Sequence, residues 1–312
     1  MAQHSLLNNL LDQLTAMSVV GTDIGSSTLK VAELCSSSNR ITLRRCAVAA
    51  LDGRKPLEAL KRLIASKGIE AQEAAVGVSS PELIVKPFKF PSMPKKELSK
   101  AIRMEAEQDV LNGYPFNDMT IAWHMLPSFA NDTCRGLLAA VPKSVVSNRI
   151  ELVQAAGLKP IVVDVEALAL WNAYWTLSGR KDSLKTVLLA NIGDETTHVA
   201  IVRSPDDLIL VREFPMGSGS LQGEELSEWL TDMKDSFSYA RSEKGLRALD
   251  AAYVTGRQVD PPLLDLLSSV LNCTAKTWNP LDYLPSENPI GVEKSNGPLF
   301  AIAIGLALRG LS

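Results

Sequence analysis

The sequence predicts an α/β protein made of two related lobes, and three observations predict it. Residues 19–32 read VVGTDIGSSTLKVA and residues 187–200 read VLLANIGDETTHVA; each is an apolar strand, a small polar residue, Ile-Gly, a polar turn and a second strand. The copies lie 168 residues apart (191 − 23) in a chain of 312, which fits a duplicated lobe rather than a solenoid period of ~20–50 residues. Each half then runs from a β-rich start to an apolar helix, EALALWNAY at 166–174 and PLFAIAIGLALRGL at 298–311.

The elements follow in order. Residues 5–17 (SLLNNLLDQLTAM) place Leu7, Leu10, Leu11, Leu14 and Met17 on one helical stripe ahead of the first strand. The stripe holds no Lys or Arg, which membrane-surface helices usually carry, so packing against protein is expected. A helix this short is marginal alone in water. It is therefore expected to dock on a folded surface, its own or a second copy's, and self-association is one expectation. Strands are predicted at 18–23, 28–35 and 40–49, a helix at 56–66 and a buried strand at 74–78. Residues 83–90 alternate and end in a Pro-rich corner, where Pro94 suits the first turn of a helix over 95–110. Strands near 119–126 and 135–141 lead to a helix capped by Ser144 and closed by Gly157, then to a strand at 161–165. In the second half a hairpin joins 196–203 to 207–214. Leu226, Leu230, Met233, Phe237 and Ala240 mark one face of a long helix, and a strand at 251–254 and a helix at 262–271 follow.

Composition narrows the function. At 46% hydrophobic and 21% charged residues the chain fills a core, and a net charge of −3 without a basic stripe argues against nucleic acid. Cys35, Cys46, Cys134 and Cys273 lack metal-ligand spacing and read as thiols of a reduced compartment. His4, His124 and His198 form no triad or H-x-x-x-H pattern, and each reads as a surface or structural histidine. No secretion signal is visible, and the apolar run at 298–311 is shorter than the ~20 residues that cross a bilayer. The Gly-containing turn of each repeat gathers backbone N–H groups in a way that suits phosphate. Asp23 and the hydroxyls of residues 26–28 equally suit a simple turn cap.

These landmarks resemble the actin-like ATPase superfamily, and within it the PilM family of type IV pilus machines with its relatives FtsA and GspL. GTDIGSSTLKVAEL is similar to the first phosphate loop and NIGDETTHVAIV to the second. FPSMPKKELSKAIRMEAEQDV, AAVPKSVVSNRIELVQAAGLKPIVVDVEALAL, NPLDYL and the closing AIGLALRG also resemble that family. The resemblance implies duplicated actin-like (ribonuclease H-like) lobes: lobe one at 18–178 with an inserted subdomain at about 82–150, and lobe two at 179–312, with residues 1–17 outside. It implies phosphate contacts by Asp23, Gly25, Ser26, Ser27, Thr28, Lys30, Asn191, Gly193 and Gly256. It also implies a partner, the cytoplasmic tail of a PilN-like inner-membrane protein, in a groove beside the inserted subdomain. Phe88 and Phe90 share a strand face; they either line that groove or pack on the helix at 95–108.

The sequence departs from the pattern in lobe two. Only about 35 residues separate Phe214 from Ala251, so the adenine-covering subdomain is reduced. The Gly-rich adenosine motif reads Thr255-Gly256-Arg257-Gln258, where bulk replaces the close backbone approach that glycine allows. Asp194 and Glu195 stand in the second phosphate loop, and one like-charge pair at ~4 Å costs about 4 kcal/mol at an effective dielectric of ~20. The reading is a cytoplasmic scaffold peripheral to the inner membrane, with weak or lost nucleotide binding, no cofactor and no catalytic residue. Its alternative is a Mg-ATP-binding ATPase in which Asp194 and Glu195 position the metal or water. A sugar kinase has no catalytic aspartate to support it.

Overall fold

The computed structural model describes residues 17–38, 40–51, 53, 55–110, 115–127, 132–178, 185–204, 206–243, 245–286 and 291–312. The first lobe opens with β1 (Met17–Ile24), β2 (Thr28–Ser37) and β3 (Arg40–Ala50), an antiparallel meander. Then come α1 (Pro56–Lys67) and β4 (Glu73–Val78), which lies parallel to β1. An insertion contributes β5 (Ile84–Pro91), α2 (Lys95–Glu105), β6 (Met119–Leu126) and β7 (Thr133–Pro142). The lobe closes with α3 (Lys143–Ala155), β8 (Lys159–Val165) and α4 (Glu166–Leu177).

The second lobe repeats the plan. It has β9 (Val187–Ile192), β10 (Thr197–Ser204), β11 (Asp207–Phe214), α5 (Gly223–Glu243), β12 (Ala251–Gly256), α6 (Pro261–Leu271), β13 (Ala275–Thr277) and α7 (Ala301–Gly310). The sheet orders are β3-β2-β1-β4-β8 and β11-β10-β9-β12-β13, so the duplication read from residues 19–32 and 187–200 extends to strand order. A third sheet, β5-β7-β6, belongs to the insertion and leaves β5 and β6 as its edges. Between β11 and β12 the helical segment is α5 alone, with Trp229, Met233, Phe237 and Ala240 buried on the lobe.

The lobes are joined by their equivalent helices. α4 and α7 cross where Gly305 meets Ala169, so closely that a Cβ at Gly305 would sit 1.9 Å from the Ala169 carbonyl oxygen. Asn172 Nδ2 donates to the Gly305 carbonyl at 3.0 Å beside this crossing. α7 also lies on β1, where a Cβ at Gly21 would be 1.8 Å from the Ala303 oxygen. Residues 301–308 are all buried, in one apolar cluster that takes side chains from both lobes, among them Val19, Tyr174, Val187 and Trp278. The C-terminal helix of lobe two is thus structural material of lobe one as well.

Some expectations need correction. Met17 is the first residue of β1, half-exposed, and does not extend a helical stripe; its apolar character serves the strand. Leu7, Leu10, Leu11 and Leu14 lie outside the described residues. Ser144 does not cap α3: the helix starts at Lys143 directly after Pro142, which ends β7, so Ser144 is already inside the first turn. The helix expected over 95–110 is α-helical only to Glu105 and continues as a π turn over Ala106–Val110.

The crossing generates a prediction. Gly305→Ala forces α4 and α7 apart in a full core, and overpacking of this kind costs about 1–3 kcal/mol, occasionally more. Urea unfolding is expected to show at least that loss, whereas Gly53→Ala, with open space around its Cβ, loses only the strain of its positive φ.

Candidate functional site

The two repeat turns face one another between the lobes. The Gly25 N–H donates to the Thr28 carbonyl at 2.9 Å, and the Gly193 N–H to the Thr196 carbonyl at 2.8 Å. Across the cleft the Thr28 hydroxyl donates to Asp194 Oδ2 at 2.8 Å. The other oxygen of Asp194 lies 2.8 Å from Arg257 Nε, a charge contact without an aligned N–H. Arg257 reaches it because Gly256, at φ +99°, folds the chain over Ile192. The Ile192 carbonyl accepts the Arg257 N–H at 2.8 Å, and a Cβ at position 256 would stand 2.0 Å from that oxygen. Glycine at 256 therefore serves the backbone crossing.

A buried charge cluster lies behind these turns. Asp23 Oδ2 and Lys30 Nζ are 3.2 Å apart on cross-strand partners of β1 and β2. The duplicate positions, 168 residues on, are Asn191 and His198, partners on β9 and β10. Asn191 Oδ1 accepts from the Thr255 hydroxyl at 3.0 Å. His198 Nε2 is 3.0 Å from Glu166 Oε2, on the first residue of α4, and its Nδ1 is 3.7 Å from Glu213 Oε2. Ser79, just past β4, donates to the same Glu213 oxygen at 2.8 Å. Burial alone would favour neutral His198, but the Glu166 carboxylate, aided by Glu213 and Asp23, raises its pKa. Burial likewise works against ionised Glu166, yet His198 holds its pKa below the ordinary carboxylate range. Burial raises the pKa of Asp23, and Lys30 only partly offsets it.

The predicted phosphate residues thus converge on the cleft, and Lys30, Thr28 and Asn191 have their side chains engaged. Lys30 is held by Asp23, Thr28 by Asp194, and Asn191 by Thr255. Ser26 and Ser27 stand exposed at the turn. The ammonium of Lys30 and the hydroxyl of Thr28 have protein partners in this arrangement, and Arg257 joins Asp194 at the mouth of the cleft. The repulsion expected from Asp194 is neutralised by Arg257. Among the described residues no cluster of three His, Cys, Asp or Glu side chains is placed for a metal ion. Sequence reasoning read His198 as a surface or structural histidine; it is buried in the cluster, and its partner Glu166 was not singled out. The available signal was the offset that aligns His198 with Lys30.

A second feature lies at the insertion. A groove runs between the β6–β7 face and lobe one, in two adjoining parts of about 450 and 630 Å³ that share His124, Leu137, Asp164, Leu168 and Arg309. Trp123, on edge strand β6, is 40% exposed at its wall. Trp171 and Trp175 of α4 are buried lining residues whose indole N–H groups have no hydrogen-bond partner among the described residues. Burial raises the pKa of Asp164 against the pull of Arg309, 3.9 Å away, while burial and Arg309 lower that of His124. Phe88 is not a lining residue: it is closed into the insertion's own core with Leu98 and Ile102, and Phe90 packs partly buried beside it. Their face of β5 turns toward α2, so the packing alternative holds for both.

The family described as type IV pilus assembly protein PilM matches residues 21–255. Among solved structures, the PilM-PilN type IV pilus biogenesis complex is similar with a TM-score of 0.81 at 22% identity, over 94% of this chain and 98% of that one. The cytoplasmic domain of EpsL, an inner membrane component of the type II secretion system of Vibrio cholerae, is similar with a TM-score of 0.52 at 12% identity, over 94% and 95%. At these identities the likeness establishes the fold, and the expected actin-like fold is the one found.

The charge cluster predicts a pH dependence. A histidine whose folded pKa is raised contributes stability that is complete below its unfolded pKa of about 6.5 and is lost as pH rises through the folded value. Melting temperature is therefore expected to fall as pH is raised above 6.5, and the slope is expected to flatten in His198→Gln, as differential scanning calorimetry will show. A slope identical in both proteins would contradict the assignment of charge to His198.

Proposed function

The chain belongs to the PilM family of type IV pilus assembly proteins, and from that membership we propose that it is an actin-like scaffold that holds the cytoplasmic tail of a PilN-like inner-membrane protein. The groove beside the insertion carries this reading. It joins a largely apolar lining to an open strand edge, β6. An extended apolar tail meets both: its main chain pairs with β6 and its side chains enter the groove. No described helix is long and apolar enough to cross a membrane. In this reading the protein is placed at the cytoplasmic face of the inner membrane through its partner.

Weak or absent nucleotide binding is part of the proposal. Its support is the engagement of Lys30 and Thr28, together with the Arg257–Asp194 contact at the mouth of the cleft. A nucleotide would have to break these contacts and then meet an uncompensated carboxylate.

Two measurements test the reading. Isothermal titration of a synthetic PilN tail from the same organism is expected to show binding. Ala122→Arg and Leu168→Arg are each expected to weaken it at least tenfold, about 1.4 kcal/mol, since both stand on the groove wall. Mg-ATP under the same conditions is expected to bind no more tightly than a Kd of about 1 mM, roughly −4 kcal/mol. Tail binding indifferent to both substitutions overturns the groove, and low-micromolar ATP binding overturns the non-catalytic reading.

A further inference from the structure

We propose that the chain's own N-terminal segment, residues 1–16, occupies the groove beside the insertion when no partner tail is bound; the inference rests on that groove being a peptide site. The point where the segment joins the fold supports it. Met17 opens β1, and two residues later Val19 abuts Gly310 of α7, where a Cβ would fall 2.6 Å from Val19 Cγ1. Arg309, just before Gly310, and Ser312, two residues after it, line the groove. The segment is thus tethered at the groove's margin.

Its length is sufficient. Sixteen residues reach about 24 Å as a helix and about 50 Å extended, more than the span of a strand such as β6. Its chemistry also matches. Residues 5–16 carry Leu6, Leu7, Leu10, Leu11 and Leu14, and Asp12 is the sole formal charge among them. The groove offers a largely apolar lining in which Arg309 stands with Asp164, 3.9 Å away, and Asp206, so the match is apolar and not one of charge. Five leucines left in water are unfavourable when an apolar groove lies within tether range. Tethering gives the segment a high effective concentration at the groove, so a partner tail must displace it.

The test uses the full chain and its Leu10→Asp/Leu11→Asp variant, which leaves residues 17–312 unaltered. Amide exchange over residues 119–126 is expected to be at least tenfold faster in the variant. A synthetic peptide of residues 1–16 is expected to bind the variant and to bind the unaltered chain at least tenfold more weakly. Both proteins are expected to be monomers by light scattering. Equal exchange together with equal peptide binding overturns the inference. A dimer that the variant abolishes overturns docking on the same chain in favour of exchange between copies. The synthetic PilN tail separates this inference from its premise. If that tail binds both chains equally and Ala122→Arg weakens it in both, the groove reading stands and occupation by the segment fails. If it binds neither chain, the groove reading itself fails.

Discussion

The close crossing of α4 and α7 is the contact on which the rest of the molecule depends. Two helices approach this tightly only where the side chains between them are nearly absent, and here Gly305 lies against the Ala169 backbone. α4 serves three surroundings at once. Glu166 at its start meets His198 between the lobes, Ala169 and Ala173 meet α7, and Leu168, Trp171 and Trp175 line the groove. A shift of this helix would move the charge cluster and the groove together. The geometry couples lobe-to-lobe position to groove shape through one rigid element, and no chain of small displacements is required.

The cleft shows how a duplicated turn diverges while its backbone stays the same. Gly25 and Gly193 make equivalent hydrogen bonds, and the strands behind them keep equivalent register. The side chains differ. Lobe one keeps a carboxylate–ammonium pair, Asp23 and Lys30, whereas lobe two has the Asn191–His198 pair, and its histidine is recruited by carboxylates from two other elements. Removing one partner from a buried pair leaves an uncompensated charge, which typically costs about 3–5 kcal/mol. The cluster therefore resists piecemeal change and fixes the lobes with respect to each other.

The fold was legible because its signals are local or periodic. The 168-residue repeat, the glycine turns and the apolar terminal helix each occupy one stretch of chain. The cleft was half legible: the turns could be placed, but the Asp194–Arg257 contact joins segments brought together only by the β9–β12 pairing. A groove beside the insertion was expected from the resemblance, but its lining was not legible, since it comes from β6, β7, β8, α4 and the C-terminus, and no single stretch carries a pattern. Phe88 and Trp123 illustrate the difficulty. The two lie on the same face of one small sheet by register, toward α2, whereas Ala122 and His124 point to the groove; alternation alone does not tell which face meets α2 and which meets lobe one. Met17 misled for a related reason, since apolar spacing can run unbroken from one element into the next.

The two free edges of the inserted sheet are unequal, and this bears on solubility. β5 reads IVKPFKFP: Pro87 and Pro91 lack an N–H to offer, and Lys86 and Lys89 oppose close approach by another chain. β6 reads MTIAWHML and carries neither proline nor lysine. Intermolecular pairing through this sheet can therefore start at only one edge. A second molecule joined there presents its own guarded β5 outward, so growth stops at a closed pair and an open fibre has no next site to extend from.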